Sequence, residues 1–98
     1  MATCGGFGGA KEATAEEQAI LESVKGEVEA HLGKTFSVFQ AISYTTQVVA
    51  GVNYIIKTKC DDIVAHIKIA KPLPHTNKPP FMMAVDANHT EDSPINPI

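Results

Sequence analysis

The first periodic stretch of the chain has the spacing of a helix. Ile20, Leu21, Val24, Val28, His31 and Leu32 recur on one face. Thr14 with Glu17 three residues on makes a capping box, Glu16 and Glu17 suit the positive helix end, and Gly33 is a natural stop. The pattern predicts one amphipathic helix of about five turns whose apolar stripe packs on a sheet. Gly26 lies on its polar side, where a glycine costs ~1 kcal/mol.

From Phe36 to Lys59 the period changes and Val, Ile, Thr, Tyr and Phe dominate, a strand composition. A single strand of that length would run ~80 Å, against ~35 Å for a whole domain of this size, so the segment must double back. Its only glycine, Gly51, puts the turn around Gln47-Val48-Val49-Ala50-Gly51. Ile63, Ala65, Ile67 and Ile69 alternate before Lys71-Pro72-Leu73-Pro74-His75-Thr76-Asn77-Lys78-Pro79, and Phe81, Met83 and Val85 alternate after it. Cys60-Asp61-Asp62 reads as the turn between the two hairpins. The expectation is an α+β fold, one helix followed by a four-stranded antiparallel meander, with the helix on one sheet face.

Both hairpin tips are unusual. Loop tips are normally polar, with Asn-Gly or Asp-Gly in the tightest turns. The first tip instead carries Val48, Val49 and Ala50, and each exposed valine forgoes ~1.5 kcal/mol or more of burial. A turn one or two residues away, with the valines inside a strand, stays open. The second tip is stiffened by Pro72, Pro74, Pro79 and Pro80, which hold Leu73-Pro74-His75 in a preset shape. An ordinary rigid hairpin end would read the same way. An up-down meander places both tips at one end of the sheet, and residues 1–13, a glycine-rich flexible arm, can reach that end too. Three apolar segments in a row suit a cleft in another protein better than a small molecule.

Length and composition narrow the rest. At 98 residues there is room for one domain, 1–98, and no run approaches the ~20 apolar residues of a membrane span. All eight cationic side chains are lysine and the net charge is −3, which argues against nucleic acid. Cys4 and Cys60 follow no signal-like segment, so they are expected as reduced thiols in a cytosolic protein; nuclear or signal-independent extracellular occurrence stays open. His31, His66, His75 and His89 lack metal-ligand spacing, so no metal or cofactor is expected. A Cys60–histidine nucleophile pair is the one enzymatic arrangement left open.

The quoted segments also carry a resemblance. Cys4-Gly5, Ala13-Thr14-Ala15-Glu16, Gln47-Val48-Val49-Ala50-Gly51 with Asn53-Tyr54, and Leu73-Pro74-His75 with Asn77-Lys78-Pro79 resemble the type 1 cystatins, or stefins, over nearly the whole chain. The resemblance implies a sheet wrapped around one long helix. It also implies reversible, tight-binding inhibition of papain-like cysteine proteases, such as cathepsins, without catalytic residues. Gly5 would let the arm lie along the non-primed side of the cleft, Gln47, Val48, Val49, Ala50 and Gly51 would enter the active-site region, and Leu73, Pro74 and His75 would lean on the primed side. Departures from the family are the extra glycines and Phe7 of the arm, and two prolines in the tail where relatives are more strand-like. A cystatin-fold interaction module without inhibitory activity is the rival reading. A monomer is expected, with a domain-swapped or Cys4-linked dimer as the other possibilities.

Overall fold

A computed structural model describes residues 9–96 and 98. A five-stranded antiparallel sheet, in the order β1 (Lys11–Glu12), β2 (Phe39–Val49), β3 (Gly51–Cys60), β4 (Ile63–Lys71) and β5 (Phe81–His89), packs against α1 (Ala15–Ser23) and α2 (Lys25–Leu32). The α+β meander is as expected, with two differences. Lys11 and Glu12, inside the segment read as a flexible arm, pair with Tyr44 and Ser43 and add a fifth strand. The single helix is broken at Val24, whose φ of −111° and ψ of 8° leave the helical region. Val24 is nonetheless fully buried, so the kink keeps Ile20, Leu21, Val24 and Val28 all on the sheet.

The helix start is built as its sequence demands. Thr14 Oγ1 accepts from Glu16 N–H, and Glu17 Oε1 accepts from the Thr14 N–H at 2.8 Å and the Thr14 hydroxyl at 2.6 Å. Burial alone would raise the Glu17 carboxyl, but those hydrogen bonds outweigh it and hold the group below its ordinary 4.5. One turn later Gln18 ties helix to sheet. Its Oε1 accepts from Ala41 N–H at 2.7 Å and its Nε2 donates to Phe39 O at 2.9 Å. Those partners lie just before the register shift between Ala41 and Ser43, where the bulged Ile42 carbonyl accepts from Ala13 N–H. The side chain therefore satisfies backbone groups that the irregular ladder leaves over.

Strand registers sort the residues between the two faces. Tyr54 with Ile69, Ile56 with Ile67, and Thr58 with Ala65 are cross-strand pairs on the helix side and form the main core with Cys60, Phe36 and Phe39. Ile55 with Lys68, Lys57 with His66, and Lys59 with Val64 occupy the opposite face. Ile55 and His66 are fully buried there as well. The chain after β5 returns over that face: Lys57 Nζ donates to Glu91 O at 2.6 Å, Lys68 Nζ donates to Ile98 O at 3.0 Å, and Lys59 lies 3.9 Å from the Glu91 carboxylate. Among the described residues beyond His89 there is a turn closed by Ser93 N–H on Thr90 O, and no strand. No helix of the described residues is long and apolar enough to cross a membrane.

Asp61 makes the middle turn work. It sits at φ 55°, its N–H donates to Val38 O, and its Oδ1 accepts from Ser37 N–H and Val38 N–H. The chain entering β2 is thereby tied to the β3–β4 turn.

Gly26, in the first turn of α2, has open space where a Cβ would stand, and its φ is not in the left-handed region. Gly26→Ala should therefore raise stability by about 0.5–1 kcal/mol, read as a higher urea midpoint at unchanged slope.

Candidate functional site

The β2–β3 and β4–β5 connections lie at the same end of the sheet because Val52, second residue of β3, pairs with Lys71, last residue of β4. Gln47, Val48 and Val49 end β2, Ala50 is the tip, and Gly51 opens β3. Val48 pairs with Val52 and Val49 with Gly51, so the valines do lie in the strand. They are not buried by it: Val48 is 71% exposed and Val49 47%. Half-buried Gln47 Oε1 accepts from Asn53 Nδ2 at 3.4 Å across the hairpin stem.

The second connection is a short 3₁₀ turn over Pro74–Thr76, capped by Asn77 at φ 54°. Leu73 O accepts from both the Thr76 N–H at 3.0 Å and the Thr76 hydroxyl at 2.7 Å. Leu73, Pro74 and His75 are all exposed. Internal hydrogen bonds and proline together set the loop's shape before anything binds, which lowers the entropy lost on association.

Gly51 joins the two tips. It holds φ 118°, and a Cβ built on it would lie 2.6 Å from Lys71 O and 3.2 Å from Pro72 Cα. Any other residue would push the hairpins apart. At this contact is a cavity of about 220 Å³ whose lining includes Val52, Tyr54, Lys71, Pro72 and Leu73. Val52, Tyr54 and Lys71 were not among the candidate site residues. Tyr54 stands in the Asn53-Tyr54 segment and Lys71 opens the proline-rich one, but their convergence is visible only in the register, which pairs Val52 with Lys71 and Tyr54 with Ile69.

Gly5 lies outside the described residues. The chain nearest to it, Gly9 and Ala10, is exposed and precedes Lys11. Since Lys11 pairs with Tyr44 and Glu12 with Ser43, the antiparallel direction leads back from Lys11 toward the Val48 end of β2. Cys60 is at the other extreme: a free thiol, fully buried on the helix side, pushed up to about 11 by burial. His66, on the opposite sheet face, is not its partner. No group of three or more metal-ligating side chains converges among the described residues.

A family model, that of the cystatin domain, matches residues 5–88. The chain belongs to the cystatin family. Stefin-C of Bos taurus is 45% identical over 85 residues, 86% of this chain and 84% of its own length. Cystatin-B of Bos taurus is 43% identical over 86 residues, 87% of this chain and 88% of its own, and cystatin-A1 of Sus scrofa is 39% identical over 92 residues, 93% and 89% of the two chains. The stefin resemblance drawn from segments spread along nearly the whole chain is borne out, and with it goes inhibition of cysteine proteases in general.

The close approach at Gly51 yields a prediction that does not depend on function. Gly51→Ala should destabilise the protein by about 1–3 kcal/mol through backbone strain and the displaced Lys71 carbonyl. Chemical denaturation measures the loss, and amide exchange should report loosening first at Val52 and Lys71.

Proposed function

We propose that the protein is a reversible, tight-binding inhibitor of papain-like cysteine proteases, cathepsins among them, and that it acts by occlusion. The observation carrying this reading is the presentation of exposed apolar side chains, Val48, Val49 and Leu73, on two tips locked together through Gly51. A rigid apolar edge of this kind enters a cleft with little ordering cost, and the affinity comes from burying it. Gln47, Val48, Val49, Ala50 and Gly51 occupy the cleft beside the catalytic cysteine of the protease. Leu73, Pro74 and His75 take the primed side, and Gly5 lets the arm take the non-primed side. The inhibitor supplies no nucleophile and holds no metal or cofactor. It works as a monomer, and a cytosolic setting suits its free Cys60.

Titration against a papain-like protease with a fluorogenic peptide tests the proposal. Equimolar inhibitor should abolish turnover, and undiminished turnover would leave the rival reading, a cystatin-fold interaction module. Val48→Asp removes an apolar contact worth about 1.5–3 kcal/mol, which predicts an inhibition constant roughly 10–100-fold higher at an unchanged melting temperature. Replacing Gly5 by a bulky residue should act chiefly on the dissociation rate; an unchanged inhibition constant would remove the arm from the mechanism.

A further inference from the structure

On the sheet face away from the helices, two imidazole rings are stacked. The rings of His66 on β4 and His89 at the end of β5 have centroids 3.7 Å apart and an interplanar angle of 7°. His66 is fully buried, and neither Nδ1 nor Nε2 has a hydrogen-bond partner. Nearly all buried polar side chains are paired, and a ring with both nitrogens unpaired has nothing to stabilise a positive charge.

The charges facing His66 make this worse. Its cross-strand neighbour on β3 is Lys57, and the face of its ring is covered by His89. Its neighbour on β5 is Asp86, the one carboxylate in a position to compensate. That carboxylate is already engaged, Oδ2 with His89 Nε2 at 2.9 Å and Oδ1 with Asn88 N–H at 3.3 Å. The carboxylate of Glu91, on the returning tail, is turned to Lys59. Protonation of His66 would therefore put a cation between Lys57 and His89 with neither ring nitrogen on an acceptor among the described residues.

We propose that the His66–His89 stack is an acid-operated latch: uncharged His66 holds β5 and the returning tail closed on the sheet, and its protonation on acidification releases them. His89 precedes Glu91 by two residues, so displacing its ring pulls the tail from Lys57 and Lys59. Opening there also frees β5, the strand that leaves the second tip, while the β2–β3 hairpin keeps its pairing. The latch is independent of the inhibitor reading, because it concerns the opening of this chain alone.

The direction of the pH effect follows from linkage. Burial first, then the neighbouring His89 and Lys57, push His66 down to about 4 from its ordinary 6.5. The opened form thus takes up a proton at a higher pH than the closed one, and closure weakens as pH falls from 6.5 toward 4. Below that window both forms are protonated and no more is lost. Across it the opening constant should rise by roughly two orders of magnitude.

Native-state hydrogen exchange on the full chain, corrected for intrinsic rates between pH 7 and 4, measures that constant. Segments from β5 and the tail should open roughly 100-fold more readily at the acid end. In His66→Leu, which keeps an apolar side chain under the tail, the dependence should be nearly flat. A flat wild-type profile, or an equal acid dependence in His66→Leu, would overturn the latch. If that variant does not fold, ring titration of the wild type by NMR decides: His66 should stay neutral below pH 5, and titration near 6.5 with unchanged β5 protection would refute the proposal.

Discussion

Strand β3 is buried on both faces, and the other elements are arranged to meet that constraint. Tyr54, Ile56 and Cys60 face the helices, while Ile55 and Lys57 face the other way and are just as inaccessible. A sheet of this size needs apolar cover on each side where its strands are apolar on each side. The helix pair supplies one cover, bent at Val24 so that Ile20, Leu21, Val24 and Val28 all reach the sheet. The returning tail lies over the other face, held by Lys57 and Lys68 through backbone carbonyls. Lysine suits this role: its stem covers apolar surface and its ammonium group finds an oxygen at the edge.

The same strand sets the position of both hairpin tips. It begins at Gly51, inside the first tip, and its second residue pairs with the residue that leads into the second. Placement of the tips is therefore a matter of sheet register rather than loop flexibility. The backbone contact at Gly51 removes the remaining freedom between them. Exposed valines and leucine cost stability to a free protein, and a rigid edge recovers that cost only when a cleft covers it. The opposite end and the outer face hold groups with a different liability. There a buried imidazole without hydrogen bonds is comfortable only while neutral, so one sheet presents a fixed edge at one end and a pH-sensitive one along β5.

Much of this was legible in the residues. The period change after Gly33, the capping box at Thr14, and the alternation through Ile63–Ile69 are local signals with local causes, and each appears as an element. The tips were legible for a similar reason: valines beside the only glycine of a long strand-forming run, and prolines around Leu73, depart from ordinary hairpin chemistry, although the valines proved to end the strand and not to form the turn. The break at Val24 was not legible, since an apolar residue at helical spacing predicts continuation, whereas in the fold both helix halves put apolar residues into one core on either side of the break. Lys11 and Glu12 carry no strand signal, being charged and exposed, and they pair only because the chain entering the helix passes the edge of β2.

By itself the sequence determined the helical segment, the four long strands, the two tip segments and the family resemblance, because those depend on spacing and side-chain chemistry over a few residues. Tertiary structure alone decided what lies opposite what. Gly51 meets Lys71, His66 stacks on His89, and Gln18 reaches Phe39 and Ala41 across separations of about twenty residues. Those contacts depend on strand register and on which face each side chain takes. A one-residue slip in register would exchange the faces, so they exist only once the whole sheet is in place.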